Sequence, residues 1–167
     1  MKKFIAIALV ALAPLSVFGQ KFGNINSGEI LPLMPEYSAT LTELETLQKQ
    51  YQEELEYMNT ELQKKSDDYE KNRETLPDNI RQRREQELMD GSQKLNEYLQ
   101  TCRANLDAKE NELMSAVITK CQKAIQAVGE EGGYICIFDM AGGAVPFVNT
   151  TLTTDVTAAV KEKLGIK

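Results

Sequence analysis

Hydrophobic residues recur at helical spacing from Pro35 to Val128, more than half of the chain. In the first part of this stretch one series of positions repeats every seven residues, and a second series lies three positions later. The two series are Leu41, Gln48, Leu55, Leu62, Tyr69 and Leu76, and Leu44, Tyr51, Met58, Lys65 and Asn72. These are the a and d positions of a coiled-coil seam. The pattern therefore predicts a long helix that packs along a partner helix.

The pattern stops at Leu76-Pro77-Asp78-Asn79. Proline has no N–H to give to a helix and restricts the residue before it, so the first helix should end here. A second series then steps by three and four residues, and its spacing widens toward the end, which predicts local unwinding of a left-handed supercoil. Its positions are Leu88, Ser92, Leu95, Leu99, Cys102, Leu106, Lys109, Leu113, Val117, Cys121, Ile125 and Val128.

Two geometries fit this pattern: an antiparallel hairpin, or one rod kinked at Pro77. The rising helix would be about 60 Å long and the falling helix about 75 Å, at 1.5 Å per residue. Helices of similar length return both outer ends to one place, where the strand-like sequences that flank them can meet. The hairpin is favoured for this reason. The predicted fold class is α+β, mostly α, with a helical arm over residues 35–128, a tip near 76–80, and a small β body from residues 20–34 and 129–167.

Residues before the arm predict one strand and one helical turn. Apolar residues alternate with small or polar ones from Lys21 to Asn26, as in a strand. Ser27 is a candidate N-cap for one turn through Leu33, and Pro35 suits the first position of the long helix.

Residues after the arm predict two strands and a closing helix. Gly129 is a candidate helix cap. The run from Tyr134 to Phe138 is apolar on both faces, which predicts a central, buried strand. A strand from Val145 to Val148 follows, placed at a sheet edge by its proline, and then a helix capped by Thr154 or Asp155 that runs to Gly165. The predicted core and assembly residues of the body are Phe22, Ile25, Ile135, Ile137, Phe138, Phe147 and Val148.

Residues 1–19 have the pattern of a secretory signal peptide. Lys2 and Lys3 precede an apolar run, and Val17 and Gly19 occupy the small-residue positions before a cleavage site. The apolar run is shorter than the roughly 20 residues of a membrane span, which argues against an uncleaved anchor. The segment therefore predicts export of the chain through a cleavable signal peptide. Cleavage would remove two lysines and no acids, which takes the net charge from −6 to −8.

Composition excludes several classes of function. The chain has no His, which removes Ser-His-Asp and Cys-His catalysis and most zinc and facial-triad iron sites. No catalytic, cofactor-binding or metal-binding residue is predicted, and the glycines do not match a phosphate loop or a dinucleotide fingerprint. The acidic charge argues against nucleic acid as a partner. The ends supply only about 60 residues for a core, which favours oligomerisation.

The three cysteines do not suggest a disulfide within the chain. Cys102 and Cys121 lie roughly 28 Å apart on one helix, too far to bridge. These two residues and Cys136 are interpreted as small buried hydrophobic residues. An intermolecular disulfide or a reactive thiol remains the alternative.

Two surface features of the arm each allow two interpretations. Arg81, Arg83 and Arg84 form a basic cluster beside the tip, either a patch for acidic surfaces or a set balanced by nearby acids. Five large residues fall off the predicted seam, either as scattered surface residues or as adaptable contacts for apolar partners. They are Leu47, Tyr57, Met89, Tyr98 and Met114.

The order of these segments resembles the Skp/OmpH family of periplasmic chaperones. The resemblance covers nearly the whole chain after the signal segment. It rests on Phe22-Gly23-Asn24-Ile25-Asn26, Pro35-Glu36-Tyr37, the charged hairpin, Gly132-Gly133-Tyr134 with the strand through Asp139, and Asp155-Val156-Thr157.

The resemblance implies a homotrimer whose strands form a body and whose three hairpins enclose a cavity. That cavity would hold unfolded outer-membrane β-barrel proteins, without ATP and without stable insertion in the membrane, until they are delivered for membrane insertion. Well-known relatives are basic, whereas this chain is acidic, so lipopolysaccharide binding is not carried over. An envelope scaffold or spacer without clients is the alternative function, and an enzyme is disfavoured by the missing catalytic groups.

Overall fold

The computed structural model describes residues 19–166, so the predicted signal peptide lies, apart from Gly19, outside the described residues. The chain begins with strand β1 (Phe22–Ile25), helix α1 (Ser27–Ile30) and a 3-10 turn (Leu31–Leu33). Two long helices follow, α2 (Pro35–Asn72) and α3 (Asp78–Gly132). The chain closes with strand β2 (Cys136–Asp139), a 3-10 turn (Ala141–Gly143), strand β3 (Thr154–Asp155) and helix α4 (Thr157–Leu164).

The sheet has three parallel strands in the order β2-β1-β3. Strand β1 pairs Phe22 with Cys136 and Ile25 with Asp139 on one side, and Gly23 with Thr154 on the other. The central strand is therefore β1. The prediction that the Tyr134–Phe138 run is central and buried is wrong: its strand starts at Cys136 and lies at the sheet edge.

The predicted strand over Val145–Val148 is also wrong. This segment has no strand hydrogen bonds in the described chain, and the third strand forms later, at Thr154–Asp155. Asn24 of β1 holds β3 in place. Its side chain donates to the Thr153 hydroxyl at 2.7 Å, and its carbonyl accepts from the Val156 N–H at 3.0 Å. Hydrogen bonds from one buried residue to both ends of a short segment can outweigh the β-propensity of an apolar run elsewhere in the chain.

The hydrophobic core lies where the base of the arm meets the body. It combines residues of β1, the α1 segment, the last turns of α3, and α4: Ile25, Ile30, Met34, Val117, Cys121, Ala124, Val128, Val156 and Val160. Of these nine residues, only Ile25 lies on a strand that was predicted for the core. The sequence analysis placed the core on strands, whereas here helix α3 itself supplies its largest share.

The two long helices form an antiparallel hairpin, which confirms the predicted fold. Contacts between the helices pair early positions of α2 with late positions of α3 along the whole length. They include Glu36 with Lys120, Glu43 with Lys109, Tyr51 with Tyr98, and Tyr69 with Glu85. Helix α2 is about 57 Å long and α3 about 82 Å at 1.5 Å per residue. Helix α2 ends at Asn72 rather than at Leu76, and turns connect it to Pro77.

The seam of α2 repeats every eleven residues, so the predicted seven-residue repeat is wrong. Leu41, Gln48, Lys65 and Asn72 are exposed. Apart from Glu61, the buried and half-buried positions between Thr40 and Tyr69 step by four, three and four: Thr40, Leu44, Leu47, Tyr51, Leu55, Met58, Leu62, Ser66 and Tyr69. An eleven-residue repeat has about 3.67 residues per turn, which removes the left-handed supercoil that a heptad imposes.

The ends of the later helices also differ from the predictions. Helix α3 passes through Gly129 and is capped by Gly133, whose φ of 64° is the left-handed conformation that glycine adopts without strain. Helix α4 starts at Thr157, after Val156. The Asp155 carboxylate still accepts the Thr157 N–H at 2.8 Å, so it satisfies a backbone donor of the first turn. Helix α4 is capped by Gly165, as predicted.

Candidate functional site

Charged pairs join the two helices near the base of the arm. Lys120 donates to the Glu36 carboxylate, a hydrogen bond that holds the pKa of Glu36 below its ordinary value. Lys109 lies 3.2 Å from Glu43, and this hydrogen bond raises the pKa of Lys109. Exposed pairs of this kind add little stability but favour one register of the helices.

Two of the five predicted off-seam residues lie in the seam instead. Tyr98 is half-buried and packs edge-on against Tyr51, with ring centroids 6.4 Å apart. Leu47 is half-buried and lines an open groove of about 640 Å³ at the foot of α2. The prediction that both lie off the seam is wrong, although each stays partly exposed as expected. Leu47 fits the eleven-residue repeat of α2, and Tyr98 lies on the side of α3 that meets Tyr51.

The other three predicted residues lie outside the seam to different degrees. Tyr57 is 63% exposed and Met89 is 66% exposed, while Met114 is half-buried. Leu41 and Ile118, which the sequence analysis did not propose for contacts, are also exposed. The arm therefore keeps some large apolar surface in water after the hairpin has formed.

The arginines beside the tip are paired with acids. Arg81 bonds to Asp78, and Arg83 and Arg84 lie 3.5 Å and 3.1 Å from the Glu87 carboxylate. These contacts favour the balanced interpretation of the cluster over a free basic patch.

The body presents an apolar edge at strand β2. Ile135, just before the strand, is 61% exposed, and Cys136 is exposed. An open groove of about 450 Å³ runs between this edge and the last turns of α3, and Ile125 and Ile137 line it. The interpretation of Cys136 as a buried residue is wrong for the single chain, because β2 is an edge strand.

The remaining predicted body residues differ in burial. Ile25 is buried, Phe22 stacks on Phe138 with centroids 6.1 Å apart, and Val148 is half-buried. Phe147 is 78% exposed. An edge strand, a groove and an exposed phenylalanine give the body a surface that suits contact with another chain.

Asp139, at the end of β2, ties the body together and was missed by the sequence analysis. Its carboxylate accepts hydrogen bonds from the Ser27 N–H at 3.0 Å, the Ser27 hydroxyl at 2.5 Å, and the Ala141 N–H at 3.0 Å. Burial alone would raise the pKa of Asp139, but these hydrogen bonds hold it below its ordinary value. The sequence did contain a signal for this role, because Asp139 is a single acid directly after the apolar run from Tyr134 to Phe138.

Two of the three cysteines lie in the interior of the protein. Cys102 and Cys121 are buried, as predicted, and burial raises the pKa of the Cys121 thiol. Across residues 19–166, no three His, Cys, Asp or Glu side chains cluster closely enough to hold a metal ion. None of the helices in this range has the length and apolarity needed to cross a membrane.

Comparison with known proteins agrees with this architecture. The family model described as "Outer membrane protein (OmpH-like)" matches residues 21–164. The chain belongs to the OmpH-like family. The match spans the body and the arm together, so the family assignment covers nearly all of the described chain.

Curated relatives of this OmpH-like chain match over their whole length. Chaperone protein Skp of Photorhabdus laumondii is 28% identical over 165 residues, which cover 96% of this chain and 100% of that protein. Chaperone protein Skp of Yersinia enterocolitica is 25% identical over 164 residues, with the same coverage. A solved chain of Caulobacter crescentus, described as an OmpH-like outer membrane chaperone, superposes with a TM-score of 0.73 at 19% identity, over 86% of this chain and 82% of that one. That likeness supports the fold alone.

Proposed function

We propose that this OmpH-like chain is a periplasmic holding chaperone for unfolded outer-membrane β-barrel proteins. The observation that carries the proposal is the family match over residues 21–164, together with full-length curated relatives named as chaperones. The arm supplies exposed apolar residues for contact with a client, and the body supplies an apolar surface for contact with other chains. In this proposal no residue has a catalytic role and no ATP is used.

The proposed working form is a homotrimer joined through the body. Within residues 19–166 the sheet has only three strands, and the edge of β2 carries the exposed Ile135 beside an apolar groove. A sheet edge of this kind favours pairing with another chain. Phe147, which is exposed in the loop between the second 3-10 turn and β3, would supply a further apolar contact. Head-to-tail contacts between chains close into a ring of three when each chain is rotated by one third of a turn from the next.

Holding by such a trimer would depend on many weak contacts. Three arms around one cavity raise the effective concentration of each contact, so low individual affinities are sufficient. Tyr57 and Met89 are candidate contacts because they are large, adaptable and exposed. Mixed charges along the arms would keep these apolar contacts from joining chaperones to one another. Release would follow when the client folds or inserts in the membrane, since either removes the unfolded form.

The proposal is tested by dilution of an unfolded outer-membrane β-barrel protein from urea, with and without the purified chain lacking residues 1–19. The expected result is suppression of client light scattering at a stoichiometric amount of chaperone and without nucleotide. A chain that assembles normally but leaves client aggregation unchanged would contradict the proposal and favour an envelope scaffold.

A further inference from the structure

An open cleft of about 320 Å³ lies between the two helices of the arm at Gly91. Its floor is formed by Leu62 packed against Gly91: a Cβ at position 91 would come within 2.7 Å of the Leu62 Cδ1 atom. Tyr57 and Met58 line the cleft beside this floor. The missing side chain of Gly91 therefore lets Leu62 pack directly against α3 at this place, while leucines fill the seam at Leu88 and Leu95 on either side.

The size and lining of this Gly91 cleft suit a large apolar side chain. Its volume corresponds to about ten water molecules. An aromatic side chain buries about 150–250 Å² when it leaves water. Tyr57 supplies an exposed ring at the rim, and Met58 supplies a flexible thioether that adapts to different shapes.

The acids and bases around the Gly91 cleft do not form ion pairs with one another. Four charged residues line it: Glu61, Lys65, Glu87 and Lys94. Both carboxylates are already engaged by other cations. Glu61 is 2.7 Å from Lys64, and Glu87 lies 3.1 Å from Arg84 and 3.5 Å from Arg83.

Lys65 and Lys94 have no ion-pair partner within residues 19–166. The cleft therefore carries two lysines that make no ion pair beside two glutamates that do, on a chain that is acidic as a whole. A partner that brings a carboxylate to this rim would complement it.

We propose that the Gly91 cleft binds a client segment in which a large apolar side chain lies next to a carboxylate. The side chain packs on Leu62 beside Tyr57, and the carboxylate lies between Lys65 and Lys94. This assignment rests on the proposed holding function and names the class of client sequence that the arm recognises.

The test is a titration of the isotopically labelled chain, lacking residues 1–19, with a short unstructured peptide that carries one Phe–Asp pair. Amide resonances of Gly91 and Leu62 should shift and saturate. A peptide with Phe–Lys in place of Phe–Asp should bind more weakly. Lys65→Gln combined with Lys94→Gln should weaken binding of the Phe–Asp peptide about fivefold, since each exposed ion pair contributes only modestly.

The matched control is Lys71→Gln combined with Lys123→Gln, which removes the same charge from the arm away from the cleft. It should leave the affinity unchanged. Equal losses in both double variants, equal binding of the Phe–Lys peptide, or no shift at Gly91 would each overturn the assignment. Client aggregation is measured for the same proteins. Suppression by the wild type without peptide binding at the cleft would overturn the cleft alone, whereas failure of the wild type to suppress aggregation would overturn the proposed function.

Discussion

The Tyr69 hydroxyl donates a hydrogen bond to the Glu85 carboxylate across the hairpin, near the tip of the arm. Tyr69 is buried, whereas all residues from Glu70 to Thr75 are exposed. Burial and this hydrogen bond both raise the pKa of Tyr69. The pair is thus the last buried contact before the chain turns, and it joins the end of α2 to the start of α3.

Removal of that hydroxyl should loosen the tip without unfolding the arm. We expect Tyr69→Phe to speed amide hydrogen exchange in the last turn of α2 and the first turns of α3, since local opening there loses a hydrogen bond to a charged acceptor. Exchange near the base of the arm should not change. Tyr57→Phe is the control, because Tyr57 is exposed. Unchanged amide exchange at the tip of Tyr69→Phe would show that the hydrogen bond from Tyr69 to Glu85 does not stabilise the tip.

Asp139 should make the body sensitive to acid. Its pKa is lower in the folded chain than in the unfolded chain, so its stabilising effect is present above the unfolded value near 3.9 and is lost as the pH falls through the folded value. Asp139→Asn should therefore lower the melting temperature at pH 7 and reduce the further decrease between about pH 5 and pH 2. If the melting temperatures of the wild type and of Asp139→Asn decreased in parallel as the pH falls, this role of Asp139 would be contradicted.

A charge at the edge of β2 should prevent assembly without unfolding the chain. Ile135 is exposed in the single chain, so Ile135→Asp costs little within it, but a buried interface would have to bury an unpaired carboxylate. The mass from light scattering should decrease to that of one chain, with the circular dichroism spectrum retained. Met89→Asp, at an exposed position on the arm, should keep the assembled mass. An assembled Ile135→Asp protein would place the interface elsewhere.

The exposed apolar residues of the arm should contribute to client holding. Tyr57→Ser combined with Met89→Ser should leave thermal stability nearly unchanged, because both side chains are mostly in solvent. We expect the double variant to require several times more chaperone for the same suppression of client aggregation, since each lost contact is repeated in every arm. Full suppression at the wild-type ratio would remove these two residues from the contact surface.

The hairpin could be predicted from the sequence because its signals are local and strong. Pro77 interrupts one long helical pattern, and Pro35 fits the first position of the first helix, as the structure has it. Periods of seven and eleven residues differ little over one or two turns. Leu55, Leu62 and Tyr69 fit both periods. The predicted seven-residue repeat therefore included the exposed Gln48 and Lys65 and left out the half-buried Leu47.

The body was predicted less well, because its structure depends on contacts between distant parts of the chain. The apolar run that includes Phe147 has the composition of a strand, yet the third strand forms at Thr154, where the buried Asn24 binds both flanking residues. The Gly91 cleft could not be predicted either, since a glycine within a helix signals a close approach only when the facing residue, here Leu62, is known.

The central claim is that this chain assembles through its body and holds unfolded clients in the space between its arms. Its most direct test is the mass, from light scattering after gel filtration, of the chain lacking residues 1–19, alone and after dilution of an unfolded outer-membrane β-barrel protein from urea into it. The account predicts a mass of three chains alone, and a soluble complex that adds one client to that trimer. A stable oligomer that elutes unchanged while the client precipitates would contradict it.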